Sequence, residues 1–381
     1  MNEKNIMIFT GEKSGEKHAY HLINEIKKID DAIKISGTGS GVLNTTDFDS
    51  LGSIEKLNSF QYNFIDKIIS IKKLKKRINR IEAHVIKNMP KVFIFIGIAD
   101  DTQYFVKKLL KIAKKYGIKT LYYFSPHVWL FSKKKTIKVA NEVDYIFTFF
   151  DLENNCYKNA GANTICIGHP IINELPEKIS RGEYINKYKI PEHNKLVALL
   201  PGSRKKELKM HLPLLYSICK KYENNKDIFF ITPLNGIDIN EKWKQKFMQL
   251  NNHSFLTSDT AYYNTISRVD LSITSSGTAC LETALYETPQ IVYYILPKID
   301  YFIWKIYALS KGIKTLNIAM PNIIAGKSIV AEFIQNKANV KTMTKEFDKL
   351  LNDSEEQTKN LQILFDNLKG NNPIIKAAGF I

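Results

Sequence analysis

The chain has 381 residues, of which 44% are hydrophobic, and its formal net charge at pH 7 is +17. This length suits two domains that each bury a core, and the hydrophobic fraction excludes a largely disordered protein. The four cysteines include no Cys-x-x-Cys pair, which indicates reduced cytoplasmic thiols, and no run of about 18 apolar residues predicts a membrane span.

Short apolar runs alternate with amphipathic segments throughout the first half of the chain. Strand patterns occur at residues 5–9, 33–36, 92–97, 120–124 and 145–149, and helix patterns at residues 15–28, 104–115 and 134–141. This alternation predicts an α/β domain in which helices cover a parallel sheet and ligands bind at the carboxyl ends of the strands. We place this first domain at residues 1–172.

A polar stretch at residues 173–178 is the predicted linker to a second domain of the same kind. Further strand patterns follow at residues 196–200, 228–232, 271–274 and 290–294. We place the second domain at residues 173–345 and a closing helical segment at residues 346–381.

The strand at residues 196–200 runs into a turn that contains Gly202, Ser203 and Arg204. Amides of such a turn donate hydrogen bonds to phosphate, and a guanidinium pairs with two phosphate oxygens at once. The turn therefore indicates a pyrophosphate site. The alternative is a surface turn whose charges are solvated.

The strand at residues 271–274 leads into Ser276, Gly277 and Thr278, which open an apolar helix. Free amides and the helix dipole favour an anion at such a helix start, and glycine allows a close approach of the backbone. Glu282 lies one turn inside the helix, where a carboxylate can accept hydrogen bonds from ribose hydroxyls. The two turns together predict a site for a nucleotide diphosphate. The alternative is a helix cap that binds no ligand.

Residues 64–78 combine apolar side chains with lysines in the pattern of an amphipathic helix. The lysines that would face an anionic membrane are Lys72, Lys73, Lys75 and Lys76. Nucleic acid is a less suitable partner for the positive charge because the chain has no helix-turn-helix, zinc-finger or aromatic RNA-binding signature. The alternative is a core-packed helix with a solvated basic face.

Further motifs follow one another along the chain: GEKSGE at residues 11–16, YFSPHVW at 123–129, IGHP at 167–170 and PNIIAGK at 321–327. Together with the two glycine turns, these motifs resemble those of the lipid-A-disaccharide synthases, and the resemblance covers nearly the whole chain. It implies a GT-B glycosyltransferase architecture, with two Rossmann-like domains facing a central cleft and the last helices packing back on the first domain.

The resemblance also implies an inverting reaction of lipid A biosynthesis. UDP-2,3-diacylglucosamine would react with 2,3-diacylglucosamine 1-phosphate (lipid X) to give lipid A disaccharide 1-phosphate and UDP. Such an enzyme would work in the cytoplasm of a Gram-negative bacterium, bound peripherally to the inner face of the inner membrane.

Members of this family carry an acidic motif after the central strand of the first domain. In this chain Asp100 and Asp101 follow the strand at residues 92–97, with Ala99 where the first aspartate is usual. The resemblance implies that an aspartate of this motif is the general base, and adjacent carboxylates can raise the pKa of one of them towards the working pH, so we expect Asp100, and after it Asp101, in this role. The alternative is that both aspartates cap the following helix.

The resemblance places a further set of residues at the acceptor or in the cleft: Ser14, Gly15, Glu16, Ser125, His127, Asn322 and Lys327. Glu16 stands where aspartate is usual, and Lys327 replaces an arginine and so loses bidentate pairing. We expect no metal or cofactor, because helix N-termini and cations such as Arg204 carry the charge of the leaving group.

Two other functions stay open at this stage. One is a different UDP-sugar enzyme of the same fold, either a 2-epimerase or a transferase that acts on another lipid. The other is a non-catalytic relative that binds nucleotide or membrane, which the altered acidic motif leaves open. A homodimer is also left open.

Overall fold

The computed structural model describes residues 5–10, 13–39, 41–52, 64–97, 103–123, 133–191, 195–234, 236–297, 301, 317–369 and 372–381. The chain divides into two compact units, residues 1–170 with 371–381, and residues 171–370. The division falls between residues 170 and 171, whereas the sequence predicted the domain boundary between residues 172 and 173. Among these described residues, no helix combines the length and apolar composition needed to cross a lipid bilayer.

The first unit is built on a parallel sheet. Its strands are β1 (Asn5–Thr10), β2 (Lys34–Thr38), β3 (Phe48–Ser50), β4 (Val92–Ile96), β5 (Lys119–Tyr122), β6 (Tyr145–Thr148) and β7 (Thr164–Cys166). They form a seven-stranded sheet in the order β3-β2-β1-β4-β5-β6-β7. The helices between them are α1 (Lys13–Ile29), α2 (Phe64–Asn88), α3 (Gln103–Tyr116), α4 (Lys133–Ala140) and α5 (Asp151–Lys158).

The core of the first unit lies against its central strands. All residues of β1 are buried, which is typical of a parallel sheet that is covered on both faces. The ring of Phe9 stacks on Phe95 with centroids 5.5 Å apart and meets Phe93 edge-on at 5.0 Å. Val85 of α2 and Leu109 of α3 close this cluster, so both helices are held to the sheet by apolar contacts.

The second unit repeats this plan. Its strands are β8 (Lys195–Leu200), β9 (Ile228–Pro233), β10 (His253–Leu256), β11 (Leu271–Ser275), β12 (Gln290–Tyr294) and β13 (Ala331–Ile334). They form a six-stranded parallel sheet in the order β10-β9-β8-β11-β12-β13. The helices in its first part are α6 (Ile171–Glu174), α7 (Arg181–Tyr188), α8 (Lys205–Lys221), α9 (Glu241–Met248) and α10 (Ala261–Ile266). Those that follow are α11 (Thr278–Leu285), α12 (Met320–Ala325), α13 (Val340–Asn352) and α14 (Glu355–Lys369).

The closing helical segment differs from the sequence expectation. The whole of residues 346–381 was expected to pack on the first domain, but α13 and α14 belong to the second unit. Phe347 of α13 stacks on Phe230 at 5.9 Å, and Leu361 of α14 lies in an apolar cluster with Cys280. Burial of these apolar faces binds the two helices to their own sheet.

Only the last helix, α15 (Pro373–Phe380), belongs to the first unit. The ring of Phe380 meets Tyr145 and Phe147 edge-on, in each case with centroids 5.2 Å apart. The ammonium of Lys376 donates a hydrogen bond to the carbonyl of Cys166 at 2.7 Å. The chain therefore returns to the first sheet only after residue 371.

Candidate functional site

The sheet of the second unit changes direction between β8 and β11. The chain runs from β8 outward to β9 and β10, and then from β11 outward the other way to β12 and β13. In open α/β sheets ligands bind at the carboxyl ends of the two strands that flank such a point. A Cβ built on Gly202 would lie 3.2 Å from the hydroxyl of Ser275, so the turns after β8 and β11 lie side by side. This edge of the sheet is the candidate site.

The turn after β8 is closed by Glu207 in the first turn of α8. One carboxylate oxygen accepts hydrogen bonds from the amides of Ser203 (3.2 Å) and Arg204 (3.3 Å), and the other accepts one from the Arg204 guanidinium (3.0 Å). Gly202 has a φ of +92°, and a Cβ there would lie 2.5 Å from the Glu207 carboxylate. Glycine is therefore required both by the backbone and by the close approach of Glu207.

Glu207 is held in its charged form although it is largely buried. Burial opposes ionisation, but the Arg204 amide, the Tyr294 hydroxyl and the Arg204 guanidinium together hold the pKa of Glu207 below its ordinary value. The side chain of Arg204 is 81% exposed, against 11% for Glu207. The guanidinium is thus free to turn from Glu207 towards a ligand, whereas the carboxylate stays in the turn.

His211 lies one turn further along α8 and is fully buried. Its Nδ1 donates to the carbonyl of Pro201 at 2.7 Å, and its Nε2 accepts from the amide of Ile295 at 3.1 Å. Burial lowers the pKa of His211, in keeping with the neutral ring that these two contacts require. The histidine ties the turn after β8 to the turn after β12. His211 was not predicted as a site residue from the sequence, although it is a histidine within an apolar helix face.

The start of α11 is open. Gly277 and Thr278 are exposed, and among the described residues no atom lies within 4 Å of a Cβ built on Gly277. Gly277 adopts φ +156° and ψ −158°, a combination that glycine almost alone adopts. No side chain of the described residues caps the helix at this residue. The first amides of a helix have no partner within the helix, so those of α11 can donate to an anion at this exposed start.

Glu282 lies one turn into α11, as expected, and two neighbouring phenols hold it. The hydroxyl of Tyr262 donates to one carboxylate oxygen at 2.5 Å, and that of Tyr263 to the other at 3.2 Å. Both tyrosines belong to α10, which immediately precedes β11 in the chain. Neither tyrosine was predicted from the sequence, because contacts between two helices leave no spacing pattern in it.

Ser276 and Asn322 belong to one hydrogen-bond network that holds the backbone at Ile318 and Val330. The Ser276 hydroxyl donates to the carbonyl of Ile318 at 2.6 Å, and the amide of Ile318 donates to the Glu332 carboxylate at 2.8 Å. The side-chain amide of Asn322 donates to Glu332 (2.6 Å) and to the carbonyl of Val330 (2.9 Å). Its carbonyl accepts from two further backbone amides.

Asn322 therefore does not have the role that the sequence suggested. It is completely buried, and four hydrogen bonds within the protein use its amide group, so it holds the segment at residues 318–332, to which Ser276 is hydrogen-bonded, rather than facing an acceptor substrate. Lys327 is exposed just beyond the end of α12, and its ammonium donates to Asn360 of α14 at 3.2 Å.

In the first unit, β1 and β4 are the strands that flank the change of direction. A Cβ on Gly15 would lie 2.9 Å from the carbonyl oxygen of Ile96, so glycine lets α1 pack closely against the end of β4. Glu16 is buried beside it. Asp100, Asp101, Ser125 and His127, like the side chain of Ser14, lie outside the described residues.

Helix α2 shows its amphipathic character from Leu74 onwards. Ile78, Ile81 and Val85 pack into the core, while Lys75 and Lys76 are exposed. This half of the helix matches the alternative of a core-packed helix with a solvated basic face. The side chains of Lys72 and Lys73 lie outside the described part of the helix.

No cluster of three or more histidine, cysteine, aspartate or glutamate side chains suited to a metal ion occurs in the described residues. At the candidate site, the amides at the start of α11 and the Arg204 guanidinium can bind an anionic group, and the Glu282 carboxylate can accept hydrogen bonds from hydroxyl groups.

The chain is similar to known proteins over nearly its whole length. The family model described as lipid-A-disaccharide synthetase matches residues 6–375. A lipid-A-disaccharide synthase of Wigglesworthia glossinidia brevipalpis is 30% identical over 373 residues, covering 95% of this chain and 92% of that protein. Lipid-A-disaccharide synthase 1 of Legionella pneumophila is 28% identical over 355 residues, covering 92% of this chain and 89% of that protein.

Solved structures share the fold at much lower identity. A UDP-GlcNAc 2-epimerase from Neisseria meningitidis bound to UDP-GlcNAc has a TM-score of 0.62 at 12% identity and covers 99% of this chain and 98% of its own. A glycosyltransferase from Rickettsia africae has a TM-score of 0.59 at 14% identity, and the match covers 99% of this chain and 97% of that protein. Both confirm the GT-B-like fold, while the family match extends over nearly the whole sequence. The chain belongs to the lipid-A-disaccharide synthase family of glycosyltransferases.

Proposed function

We propose that this enzyme joins UDP-2,3-diacylglucosamine to 2,3-diacylglucosamine 1-phosphate and releases UDP, with the diphosphate bound where the turns after β8 and β11 meet. The observation that carries the proposal is the open start of α11 at Gly277, beside the turn that presents Arg204. An epimerase function has only the shared fold to support it, because the Neisseria epimerase is only 12% identical to this chain and the Rickettsia glycosyltransferase is 14% identical.

The reaction needs a site that stabilises charge on the departing UDP. The acceptor 6-hydroxyl oxygen forms a bond to the anomeric carbon as the bond from that carbon to the diphosphate oxygen breaks. Negative charge accumulates on the β-phosphate, where the α11 amides and dipole and the Arg204 guanidinium stabilise it. The acceptor proton passes to a general base, for which Asp100, and after it Asp101, are the candidates.

Glu207 prepares the phosphate site before the nucleotide arrives. It keeps the Ser203 and Arg204 amides and the guanidinium on one side of the turn, at distances of 3.0 to 3.3 Å. The diphosphate competes with Glu207 for the guanidinium, whose side chain is mostly exposed. Binding then replaces the charge-assisted hydrogen bond between Arg204 and Glu207 with one between Arg204 and the diphosphate, so little reorganisation of the backbone is required.

The lipid substrates and the positive charge favour binding at an anionic membrane surface from the cytoplasm. Exposed basic side chains lie on two adjacent helices, with Lys75, Lys76 and Arg80 on α2 and Lys107, Lys111 and Lys114 on α3. An ion pair between Lys115 of α3 and Glu82 of α2, at 2.8 Å, joins the two helices. Each basic residue near an anionic leaflet contributes about 1 kcal/mol of attraction.

Incubation with both lipid substrates, followed by mass analysis, tests the proposal. We expect a disaccharide 1-phosphate and an equal amount of UDP, formed only when the acceptor is present. An epimerase would instead isomerise the UDP-sugar without acceptor, and a binding protein would form no product. Asp100→Asn and Asp101→Asn test the base, and turnover near the wild-type rate in both variants would contradict its assignment.

A further inference from the structure

We propose that Tyr262 and Tyr263 are positioning residues that aim the Glu282 carboxylate at the ribose of the nucleotide, and so make the enzyme prefer UDP to 2′-deoxy-UDP. This inference rests on the proposed function and on the expectation from the sequence that Glu282 accepts hydrogen bonds from the ribose hydroxyls. It adds two residues and a specificity to that function.

The two phenols fix the orientation of the carboxylate because they hold different oxygens. Tyr262 donates to Oε2 at 2.5 Å and Tyr263 to Oε1 at 3.2 Å. The terminal torsion of a glutamate side chain is otherwise broad, so a carboxylate on a helix surface samples many orientations. Two hydrogen bonds to opposite oxygens select one plane.

The same contacts leave room for a diol. An ionised carboxylate has about four acceptor positions, and the phenols use two of them, one on each oxygen. One position per oxygen remains for the 2′- and 3′-hydroxyls of a ribose. A nucleotide that lacks the 2′-hydroxyl leaves one prepared acceptor without its donor, which is the kind of mismatch that gives strong discrimination.

The tyrosine rings are themselves fixed between the two glycine turns. They pack against an apolar cluster that includes Leu200, the last residue of β8, and Ala279 in the first turn of α11 packs against the same cluster. The rings meet edge-on with centroids 5.0 Å apart. Burial and the neighbouring Glu282 charge raise the pKa of Tyr262 well above its ordinary value, so its hydroxyl remains a donor.

The test compares the affinities of UDP and 2′-deoxy-UDP, measured by calorimetry on the same sample of each protein. The wild type should prefer UDP, and Glu282→Gln should lose most of that preference. Tyr262→Phe and Tyr263→Phe should each lower the UDP to 2′-deoxy-UDP affinity ratio by about three- to tenfold. The double variant should approach the ratio of Glu282→Gln.

Tyr286→Phe is the matched control. Tyr286 lies in the same apolar cluster, but its hydroxyl donates to the carbonyl of Pro176 at 2.7 Å. This variant should keep the wild-type ratio even if its stability falls. The ratio does not depend on the fraction of folded protein, so a partly unfolded variant still gives an answer.

The outcomes separate the inference from the proposed function. Wild-type ratios in both phenylalanine variants, with a lost preference in Glu282→Gln, would overturn the role of the tyrosines alone. A wild type that binds both nucleotides equally would overturn the ribose contact and this inference with it. A folded wild type that binds neither nucleotide would contradict the proposed function itself.

Discussion

The Nδ1 of His211 lies 2.7 Å from the carbonyl oxygen of Pro201, and the opposite ring nitrogen accepts from the amide of Ile295 at 3.1 Å. One buried side chain thus joins the turns that follow β8 and β12, the two neighbours of β11 in the sheet. The position of Arg204 depends on this tie, since Pro201 opens the turn that carries it.

His211→Leu should destabilise the protein and loosen the phosphate site. The change keeps an apolar volume but leaves two buried backbone groups without partners, which costs about 2–4 kcal/mol of the free energy of unfolding. Urea unfolding measures that loss, and UDP should also bind more weakly. Lys209→Leu, an exposed change on the same helix, should stay within about 0.5 kcal/mol of the wild type. Equal stability of the two variants would show that the histidine contacts contribute nothing.

Arg204→Lys should weaken UDP binding by about tenfold without changing the melting temperature. Lysine keeps the charge but not the planar pair of donors, and Arg204 is too exposed to stabilise the fold strongly. Arg204→Ala should weaken binding further. Lys206→Ala removes an exposed charge two residues away and should have little effect. If both positions weaken UDP binding equally, only the overall charge matters and the specific phosphate contact is wrong.

The sequence predicted the two strands that position the site, because β8 is almost continuously apolar and β11 carries the apolar residues Leu271 and Ile273. The segment 196–200 is β8, and the turns at Gly202 and Gly277 begin α8 and α11 as expected. The short strands β3, β7, β10 and β13 were not predicted, because three or four residues carry too little periodicity. Nor could the sequence show that Phe347 packs on Phe230, since no local pattern encodes which sheet a helix joins.

The hydrogen-bond partners within the site could not be predicted from the sequence either. The sequence predicted that the Gly202–Arg204 turn donates hydrogen bonds to phosphate. In the structure, the Ser203 amide, the Arg204 amide and the Arg204 guanidinium already donate to Glu207. Asn322 was predicted to lie at the acceptor substrate or in the cleft, because it belongs to the PNIIAGK motif at residues 321–327. Its burial and its four internal hydrogen bonds depend on the fold of residues 317–332, which the motif alone does not reveal.

A buried histidine should make stability fall in mild acid. Burial lowers the pKa of His253 to about 3, whereas an unfolded chain has the ordinary value near 6.5. Between these values the unfolded state binds more protons, so stability decreases as pH falls below about 6.5. From pH 7 to pH 5 this histidine removes about 2 kcal/mol of the free energy of unfolding.

His253→Gln should lack that contribution while keeping a polar partner for Thr232, which lies 2.9 Å from the ring. Urea unfolding of both proteins at pH 7 and pH 5 gives the comparison. The wild type should lose about 2 kcal/mol more than the variant over this interval. Parallel losses would show that the histidine is protonated in the folded state as readily as in the unfolded state.

Reversal of charge on α2 should weaken membrane binding. Lys75→Glu with Lys76→Glu removes two exposed cations, and affinity for anionic vesicles should fall about thirtyfold or more. Lys341→Glu with Lys345→Glu makes the same change of net charge on α13 of the second unit. Vesicle sedimentation at low salt should separate the two pairs. Equal effects would mean that net charge, and not the α2–α3 surface, governs the attraction.

The central claim is that a diphosphate binds where the turns at Gly202 and Gly277 meet. Calorimetric titration of the folded protein with UDP, UMP and uridine tests it most directly. We predict saturable binding of UDP, weaker binding of UMP and the weakest binding of uridine, because each lost phosphate removes contacts with the α11 amides and Arg204. No saturation at millimolar UDP, or equal affinity for UDP and uridine, would contradict the claim.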